Sequence, residues 1–242
     1  HKPSPAPRTV LLVTSDTHRA DHIGAAPGAK ELTTPNLDAL AARGLLFEDC
    51  FSSTNVTNPS HVALMTATHP RDTGILNNTS PLLGAAPTLA ERFAAAGYQT
   101  AAYTDGGLMI APWRLLQGFE RKFTLTQDVS DRVSDVLGYL GIARGQRPLF
   151  LFLHTDPVHE PCVPPREHGL RYADPDYAGP LRYRLQALRK QRLSERDMDA
   201  SALLGGISDP TDADIRFLRA LYDAEVAYTD EQLGRLFDAL RT

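Results

Sequence analysis

The chain of 242 residues has little of several features, and each scarcity excludes a class of protein. Two cysteines, Cys50 and Cys162, are too few for a disulfide framework; they are interpreted as two buried thiols, with a single bridge as the alternative. A net charge of -4 gives no reason to expect nucleic acid as a partner. No apolar run approaches the length of a membrane span, and no internal repeat or low-complexity block is present. The composition, 42% apolar and 22% charged, is that of a globular protein with one large domain or two small ones.

Alternating strand and helix patterns predict an α/β fold with a mostly parallel central sheet flanked by helices. Short apolar, β-branched runs predict strands at residues 9–15, 45–51, 98–104 and 149–153. Apolar residues at helical spacing predict helices at residues 35–43, 88–96, 129–143 and 212–240. In the first of these helices Leu37, Leu40 and Ala41 are expected to face inward, and Thr211 or Asp209 is expected to cap the last.

The segment 54–65, Thr-Asn-Val-Thr-Asn-Pro-Ser-His-Val-Ala-Leu-Met, is the centre of the functional hypothesis. A polar, turn-forming run ends at Thr57, and Pro59 is well placed to open a helix at its first position. Thr57 is therefore predicted at a helix N-terminus, where backbone N–H groups and the helix dipole favour an anion. A hydroxyl at that place is either a helix cap or a nucleophile, and both interpretations stay open.

Polar residues follow several predicted strands, at the sheet edge where ligands collect in open α/β folds. Asp16 follows the first strand and is either a metal ligand or the cap of the next turn. Asp105 opens an Asp-Gly-Gly turn after residues 98–104, and His159 lies in a proline-bounded loop after residues 149–153. Each of these two is either structural or part of the site.

Two further regions have a distinct composition. Residues 1–8 are read as a linker because of their proline content. Residues 164–206, rich in Arg, Pro and Tyr, are predicted to form an excursion with short helices or a flap on the substrate side.

Taken in order, these segments resemble the sulfatase family of the alkaline phosphatase superfamily. The matching motifs are its first strand and metal-site turn, its next helix, its nucleophile motif, a helix-strand unit, a strand with a His loop, and a long helix, at residues 10–24, 34–44, 57–61, 89–103, 148–165 and 222–226. The resemblance covers nearly the whole chain. It implies an alkaline-phosphatase-like sandwich in which residues 9–242 form the N-terminal portion of the catalytic domain.

The resemblance implies a metal-dependent hydrolase of sulfate or phosphate esters of small molecules or glycans. Thr57 would attack sulfur or phosphorus, and a divalent ion (calcium, manganese or zinc) would be held in part by Asp16 and Thr57. Helix N–H groups beyond Thr57 would hold the substrate oxygens, and His61 or His159 would contact the anion or protonate the leaving group. Weaker substrate contacts are implied for Asn58 and Asp105.

Departures from the family pattern bear on the mechanism. The family motif Cys/Ser-x-Pro-x-Arg carries a residue converted to formylglycine, whereas this chain has Thr57 and His61 at the first and last positions, so no formylglycine is expected. The usual paired Asp is Asp16-Thr17, and the family's Lys-Trp-His run is replaced by residues 105–108. A Thr ester must be attacked a second time by water or another acceptor, a route suited to phosphoryl groups. The alternatives are therefore a phosphodiesterase, phosphonate hydrolase or phosphoryl transferase of the superfamily, and a non-catalytic binding protein.

The resemblance also carries expectations about the end of the chain and its location. In the family a further strand after the long helix ends in an Asp-His or Asp-Asn pair of the metal site, and the chain stops at Thr242 before any such strand. The fold is therefore expected to be incomplete at its C-terminus, with the missing segment in the natural protein or on another chain, or with the chain a truncated relative. Asp16 and Thr57 are expected to face an open groove without a complete metal site, and Leu233 and Leu236 to lack sheet to cover. A periplasmic or secreted location is expected.

Overall fold

The computed structural model describes residues 9–29, 34–82, 86–104, 115–124, 128–143, 147–191 and 203–241. A short 3-10 helix covers Ala20–His22. The other elements, in chain order, are β1 Thr9–Ser15, α1 Pro35–Ala41, α2 Thr57–Thr66, α3 Pro70–Thr73, α4 Leu89–Ala95, β2 Gln99–Thr104, β3 Arg121–Thr124, α5 Val129–Ala143, β4 Leu149–Thr155, α6 Arg166–Tyr172, α7 Pro180–Gln191 and α8 Asp212–Arg241.

The chain is divided into two compact units. The first consists of His1–Thr14, Cys50–Leu125 and Asp135–His154. The second consists of Ser15–Asp49, Thr126–Ser134 and Thr155–Thr242.

The first unit is built on a four-stranded sheet with the order β1-β4-β2-β3. Strand β2 pairs in parallel with both β4 and β3, so that Ala102 lies opposite Phe152 on one side and Lys122 on the other. All seven residues of β4 are buried, as expected for a central strand covered on both faces. The α/β fold with a parallel sheet flanked by helices, predicted from the sequence, is confirmed.

Side chains of alternate strand residues build a core on each face of this sheet. Phe150 and Phe152 belong to a cluster that includes Val62 and Met65 of α2, and Phe93 of α4 stacks on Phe150 with ring centroids 4.2 Å apart. Phe123 stacks on Tyr103 of β2 with ring centroids 4.4 Å apart, and the ring centroid of Tyr139 of α5 lies 6.2 Å from that of Tyr103. These contacts hold the helices on the sheet.

Three of the four predicted strands are confirmed as β1, β2 and β4. The strand predicted at residues 45–51 is wrong, since no strand forms there and Leu45 and Phe51 are 85% and 89% exposed. Strand propensity reflects packing against neighbours, and apolar residues without a paired strand do not suffice. Strand β3 was not predicted, because Arg121 and Lys122 hide its pattern at the edge of the sheet.

The predicted helices are confirmed, with small shifts of their ends. Thr88 accepts a hydrogen bond from the N–H of Glu91, whose carboxylate accepts one from the N–H of Thr88, which together form a capping box on α4. Thr211 caps α8 by accepting from the N–H of Asp214 at 3.2 Å. Helix α1 has no buried residue and Leu40 is 44% exposed, so the prediction that this residue faces inward is wrong.

Helix α8 organises the second unit. Phe217 and Leu221 pack with Leu181, Leu185 and Leu188 of α7 in one cluster. Gly234 allows α1 to approach closely, because a Cβ atom there would lie 2.4 Å from Cγ of Asn36. Leu233 and Leu236, which were expected to lack sheet to cover, are both buried.

Several remaining expectations concern surface features. Neither cysteine forms a disulfide, as interpreted, but the prediction that both are buried is wrong, since Cys50 is exposed and Cys162 is only partly buried. The predicted excursion at residues 164–206 contains α6 and α7, with residues 192–202 outside the described part, as is the predicted linker at residues 1–8. Among the described helices, none is both long and apolar enough to cross a membrane.

Candidate functional site

Thr57 is the first residue of α2, and Val56 occupies the N-cap position. Val56 has the extended dihedral angles of an N-cap residue, φ -115° and ψ 130°, and it receives the first helical hydrogen bond, from the N–H of Ser60 at 3.1 Å. Pro59 is therefore the third helical residue, and its predicted place at the first position is wrong. The helix has no side-chain cap, so the interpretation of Thr57 as a helix cap is also wrong.

Asn58 anchors the start of α2 to the loop at residues 77–80. Its backbone N–H donates to Oδ1 of Asn78 at 2.9 Å, and its side-chain amide donates to the carbonyl oxygens of Asn77 and Ser80 at 3.1 and 2.8 Å. Asn58 is fully buried. These bonds give it a structural role, and its contact with substrate stays a prediction.

The first turn of α2 offers fewer N–H donors than the sequence suggested. The N–H of Asn58 donates to Asn78, Pro59 has no N–H, and the N–H of Ser60 donates to a carbonyl oxygen within the helix. The prediction that N–H groups beyond Thr57 hold the substrate oxygens is therefore wrong. Any anion at this turn would be held by other groups.

A hydrogen-bonded chain runs from Thr57 into the core of the first unit. Nδ1 of His61 lies 2.8 Å from the carbonyl oxygen of Thr57, and Nε2 lies 3.2 Å from Oγ1 of Thr14. The same Thr14 oxygen lies 2.9 Å from Nδ1 of His154, whose ring is perpendicular to that of His61 with centroids 4.8 Å apart. Both imidazoles are buried, with exposed fractions of 7% and 2%.

The donors in this chain follow from the carbonyl at its end. A carbonyl only accepts, so Nδ1 of His61 carries a proton; when the ring is neutral, Nε2 accepts from the hydroxyl of Thr14. That hydroxyl oxygen then accepts from Nδ1–H of His154. The sequence reading missed Thr14 and His154; the available signal was a polar side chain near the carboxyl end of each of two apolar strands.

In the second unit, the turn after β1 is bonded to the segment after β4. The N–H of Asp16 donates to the carbonyl oxygen of Thr155 at 2.8 Å, and the hydroxyl of Thr17 donates to the carbonyl oxygen of Val158 at 2.9 Å. Thr17 has φ 53°, a left-handed conformation that is rare for a β-branched residue. This strained turn fixes the backbone of Asp16, which is the candidate metal ligand.

His159, also in the second unit, is an accessible imidazole. Its Nδ1 donates to the carbonyl oxygen of Glu160 at 2.8 Å, and its side chain is 42% exposed. In the neutral ring Nε2 is consequently the unprotonated nitrogen, which can exchange a proton with a substrate. Its role in catalysis stays a prediction.

His22, a buried histidine of the second unit, has a structural role. His22 lies between two carboxylates, with Nδ1 2.8 Å from Asp21 and Nε2 3.1 Å from Asp223 of α8. Arg19 and His22, which bond to the carboxylate of Asp21, hold its pKa far below the ordinary value. The cluster ties the short 3-10 helix to α8, and sequence reasoning had assigned Asp21 and His22 only to a turn.

The donor set for a metal ion is incomplete in the described part of the chain. Within those ranges, no group of three or more His, Cys, Asp or Glu side chains could hold a metal ion. Thr57 and His61 lie in the first unit and Asp16 and His159 in the second. Asp105 lies outside the described residues. The assignment of Asp16 and Thr57 as metal ligands stays a prediction.

Comparison with known proteins finds a family match that covers nearly the whole chain. A model of the sulfatase family matches residues 8–242. The uncharacterized sulfatase YidJ of Escherichia coli is 24% identical over 273 aligned positions, which cover 95% of this chain and 53% of that protein. The choline-sulfatase of Rhizobium meliloti is 24% identical, with 86% of this chain and 49% of the relative covered. The chain thus spans about half the length of these relatives.

Solved structures share the fold at low identity. The phosphonate monoester hydrolase of Agrobacterium radiobacter superposes with a TM-score of 0.76 at 21% identity, over 97% of this chain and 59% of that chain. A protein solved in complex with its substrate D-glucosamine-2-N,6-O-disulfate superposes with a TM-score of 0.70 at 20% identity, over 96% and 62%.

Proposed function

Because this chain belongs to the sulfatase family, as its motifs predicted, we propose that it hydrolyses sulfate or phosphate esters with Thr57 as the nucleophile. One observation carries this role. Thr57 begins α2, while Val56 takes the capping position and no side chain caps the helix. Thr57 thus stands at the start of this helix, at the position that the family resemblance gives to the nucleophile, and that position supports the proposed role.

The proposed reaction is a double displacement. Oγ1 of Thr57 gives its proton to a base and attacks the sulfur or phosphorus atom, and the bond to the leaving oxygen breaks as that oxygen takes a proton from the imidazolium of His159. Water then attacks the same atom, its proton passes to a base, and the bond to Oγ1 breaks and regenerates the Thr57 hydroxyl. The sum is ester plus water giving alcohol plus the free acid.

The two histidines have different proposed roles. His159 has an exposed side chain, and its imidazolium form would donate the proton that the leaving oxygen needs from Nε2. The ring of His61 is buried, and its nitrogens face the Thr57 carbonyl and the Thr14 hydroxyl. We therefore assign His61 to positioning Thr57 in place of the contact with the anion that the resemblance implied.

Metal dependence is general in this family, and we propose a divalent ion (calcium, manganese or zinc) held in part by Asp16. An ion bound next to the substrate would neutralise its negative charge. Calcium and magnesium take at least six oxygen ligands, and the described residues bring together no group of three candidate ligands. The double displacement is consequently argued from Thr57, water and a proton donor.

The substrate class follows from two opposing observations. The relatives include a choline-sulfatase and an N-acetylglucosamine-6-O-sulfatase, which favours a sulfate ester of a small molecule or glycan. A threonine at the nucleophile position, which cannot become formylglycine, favours a phosphodiester or phosphonate ester. A periplasmic or secreted location is part of the same proposal.

The test compares hydrolysis of 4-nitrophenyl sulfate, bis(4-nitrophenyl) phosphate and 4-nitrophenyl phenylphosphonate, each with calcium, manganese and zinc. Thr57→Ala should lose about a thousandfold or more in kcat, because it removes the nucleophile. Thr57→Ser, which keeps a hydroxyl, is the matched control and should retain measurable turnover. Thr57→Ala within a few-fold of wild type would contradict the covalent role. Wild-type protein inactive on all three substrates would favour the non-catalytic alternative.

A further inference from the structure

A cavity of about 560 Å³ lies between α6, α7 and α8 in the second unit. Its walls combine three arginines with apolar side chains, and its main lining residues are Arg166, Arg182, Arg189, Leu170, Leu185 and Phe217. The volume is within the range of roughly 300–1,000 Å³ that small-molecule sites occupy. This cavity is called the arginine pocket here.

The arginine pocket is strongly positive. Its described lining holds three guanidinium groups and no carboxylate, and none of the three forms an ion pair within the part of the chain that the structure describes. Arg182 donates to the carbonyl oxygens of Asp174 and Pro175, and Arg189 donates to that of Pro164 at 2.7 Å. These acceptors are neutral and orient the guanidinium groups, while the carboxylate of Glu225, which is not a lining residue, acts electrostatically on Arg189.

Arg189 is an arginine of the pocket lining whose pKa is shifted by burial. Burial lowers its pKa, the carboxylate of Glu225 raises it and Arg166 lowers it again, and a guanidinium in a protein stays protonated. Its Nε is buried and has no acceptor among the described residues. Burial disfavours the charge of this group, and an anion placed beside the guanidinium would offset that cost.

A glycine makes room for this side chain. A Cβ atom at Gly169 of α6 would lie 2.7 Å from Nη2 of Arg189, which is closer than such atoms approach. The absent side chain thus allows the guanidinium to lie against α6 beside the apolar wall. Leu185 and Phe217 of that wall belong to a buried hydrophobic cluster and form an apolar part of the lining.

We propose that the arginine pocket binds an amphiphilic organic anion, with a sulfate, sulfonate, phosphate or carboxylate head on an apolar body. Guanidinium groups pair with such oxyanions through two parallel hydrogen bonds, and Leu185 and Phe217 supply surface for the apolar part. The proposal goes beyond ester hydrolysis, because binding here uses none of the residues assigned to that reaction.

The probe is 2-naphthalenesulfonate, whose carbon–sulfur bond is not an ester, measured by calorimetry on the intact protein. Wild type should bind it saturably, and rising salt should weaken binding. Arg166→Gln, which removes a guanidinium that makes no hydrogen bond or ion pair within the described ranges, should raise Kd about fivefold, and Arg189→Gln about tenfold. Arg171→Gln, an exposed residue on α6 outside the lining, is the control and should change Kd less than twofold.

Further ligands separate head from body. The neutral 2-naphthalenesulfonamide and inorganic sulfate should each bind more weakly than the sulfonate, and 2-naphthoate tests a carboxylate head. Thr57→Ala should leave sulfonate binding unchanged, so failure of the hydrolytic proposal and failure of this one are distinguishable. Equal affinity for sulfonate and sulfonamide would overturn the proposal, as would Arg166→Gln and Arg189→Gln both within twofold of wild type, or no saturable binding to wild type.

Discussion

The imidazole of His61 donates a hydrogen bond from Nδ1 to the carbonyl oxygen of Thr57, one turn earlier in α2, over 2.8 Å. Its other nitrogen lies 3.2 Å from the hydroxyl of Thr14 on β1. The ring is therefore bonded on both sides within the first unit, and it joins the backbone of the proposed nucleophile to the sheet. A substitution at Thr14 should therefore affect the position of Thr57, because the ring of His61 is bonded to both residues.

Thr14→Val removes the hydroxyl that bonds both imidazoles while keeping the shape of the side chain. Loss of these bonds should lower the free energy of unfolding by about 1–3 kcal/mol and reduce kcat more than it changes KM. Urea unfolding and the ¹⁵N resonances of the histidine rings measure the two effects. Thr14→Ser keeps the hydroxyl and is the matched control. Valine and serine variants with equal stability and identical imidazole resonances would show that the hydroxyl has no such role.

Asp16→Asn should weaken binding of the divalent ion and lower activity together, with excess metal restoring part of the rate. The reason is that Asp16 lies beyond β1 with its backbone bonded to Thr155, while the amide that replaces its carboxylate carries no charge. Calorimetric titration with calcium, manganese and zinc measures the affinity. Asp49→Asn, an exposed carboxylate, is the control. Unchanged metal affinity in Asp16→Asn would sink the ligand assignment.

Asp230→Ala should destabilise the second unit by about 2 kcal/mol, because it leaves partly buried donors at the start of α1 without their acceptor. The buried carboxylate of Asp230 on α8 accepts from the N–H of Leu37 at 2.8 Å, and from the N–H and side-chain amide of Asn36 at 3.2 and 2.9 Å. It thereby supplies the acceptor that the start of α1 lacks locally. Urea unfolding of this variant is compared with exposed Asp209→Asn, and equal midpoints would contradict the expectation.

Tyr177→Phe should reduce the loss of stability at alkaline pH. Burial, and then the hydrogen bond to Asp214, raise the pKa of Tyr177 from 10.0 to about 12, so the fold favours the protonated phenol. This contribution is fully present below pH 10, the unfolded value, and is lost as pH rises toward about 12. The unfolding free energy of wild type should therefore fall more steeply over this window than that of the variant.

Below pH 10 the same variant should be less stable than wild type by about 1–3 kcal/mol, since its hydrogen bond to a carboxylate is gone. Tyr183→Phe on α7, where the side chain is 66% exposed, is the control and should follow the wild-type profile. Identical slopes for Tyr177→Phe and wild type between pH 10 and 12 would show that Tyr177 does not carry this dependence.

Much of the fold was predictable because it depends on local patterns. The apolar run of β4, the capping box formed by Thr88 and Glu91, and the three-four spacing of α8 are each legible in a few consecutive residues. The order of the motifs along the chain also predicted the family, because the motifs of the sulfatase family follow one another in the same order. These features need no knowledge of which distant residues meet.

Contacts between distant residues could be decided only by the tertiary structure. The segment at residues 45–51 has a strand pattern but no strand, because a strand also requires a partner that supplies hydrogen bonds. Thr14, His61 and His154 are far apart in sequence, and only the order of the strands brings their side chains into one hydrogen-bonded chain. Thr57 likewise could be read from the sequence as a cap or a nucleophile, and the backbone of Val56 at the N-cap position removed the first interpretation.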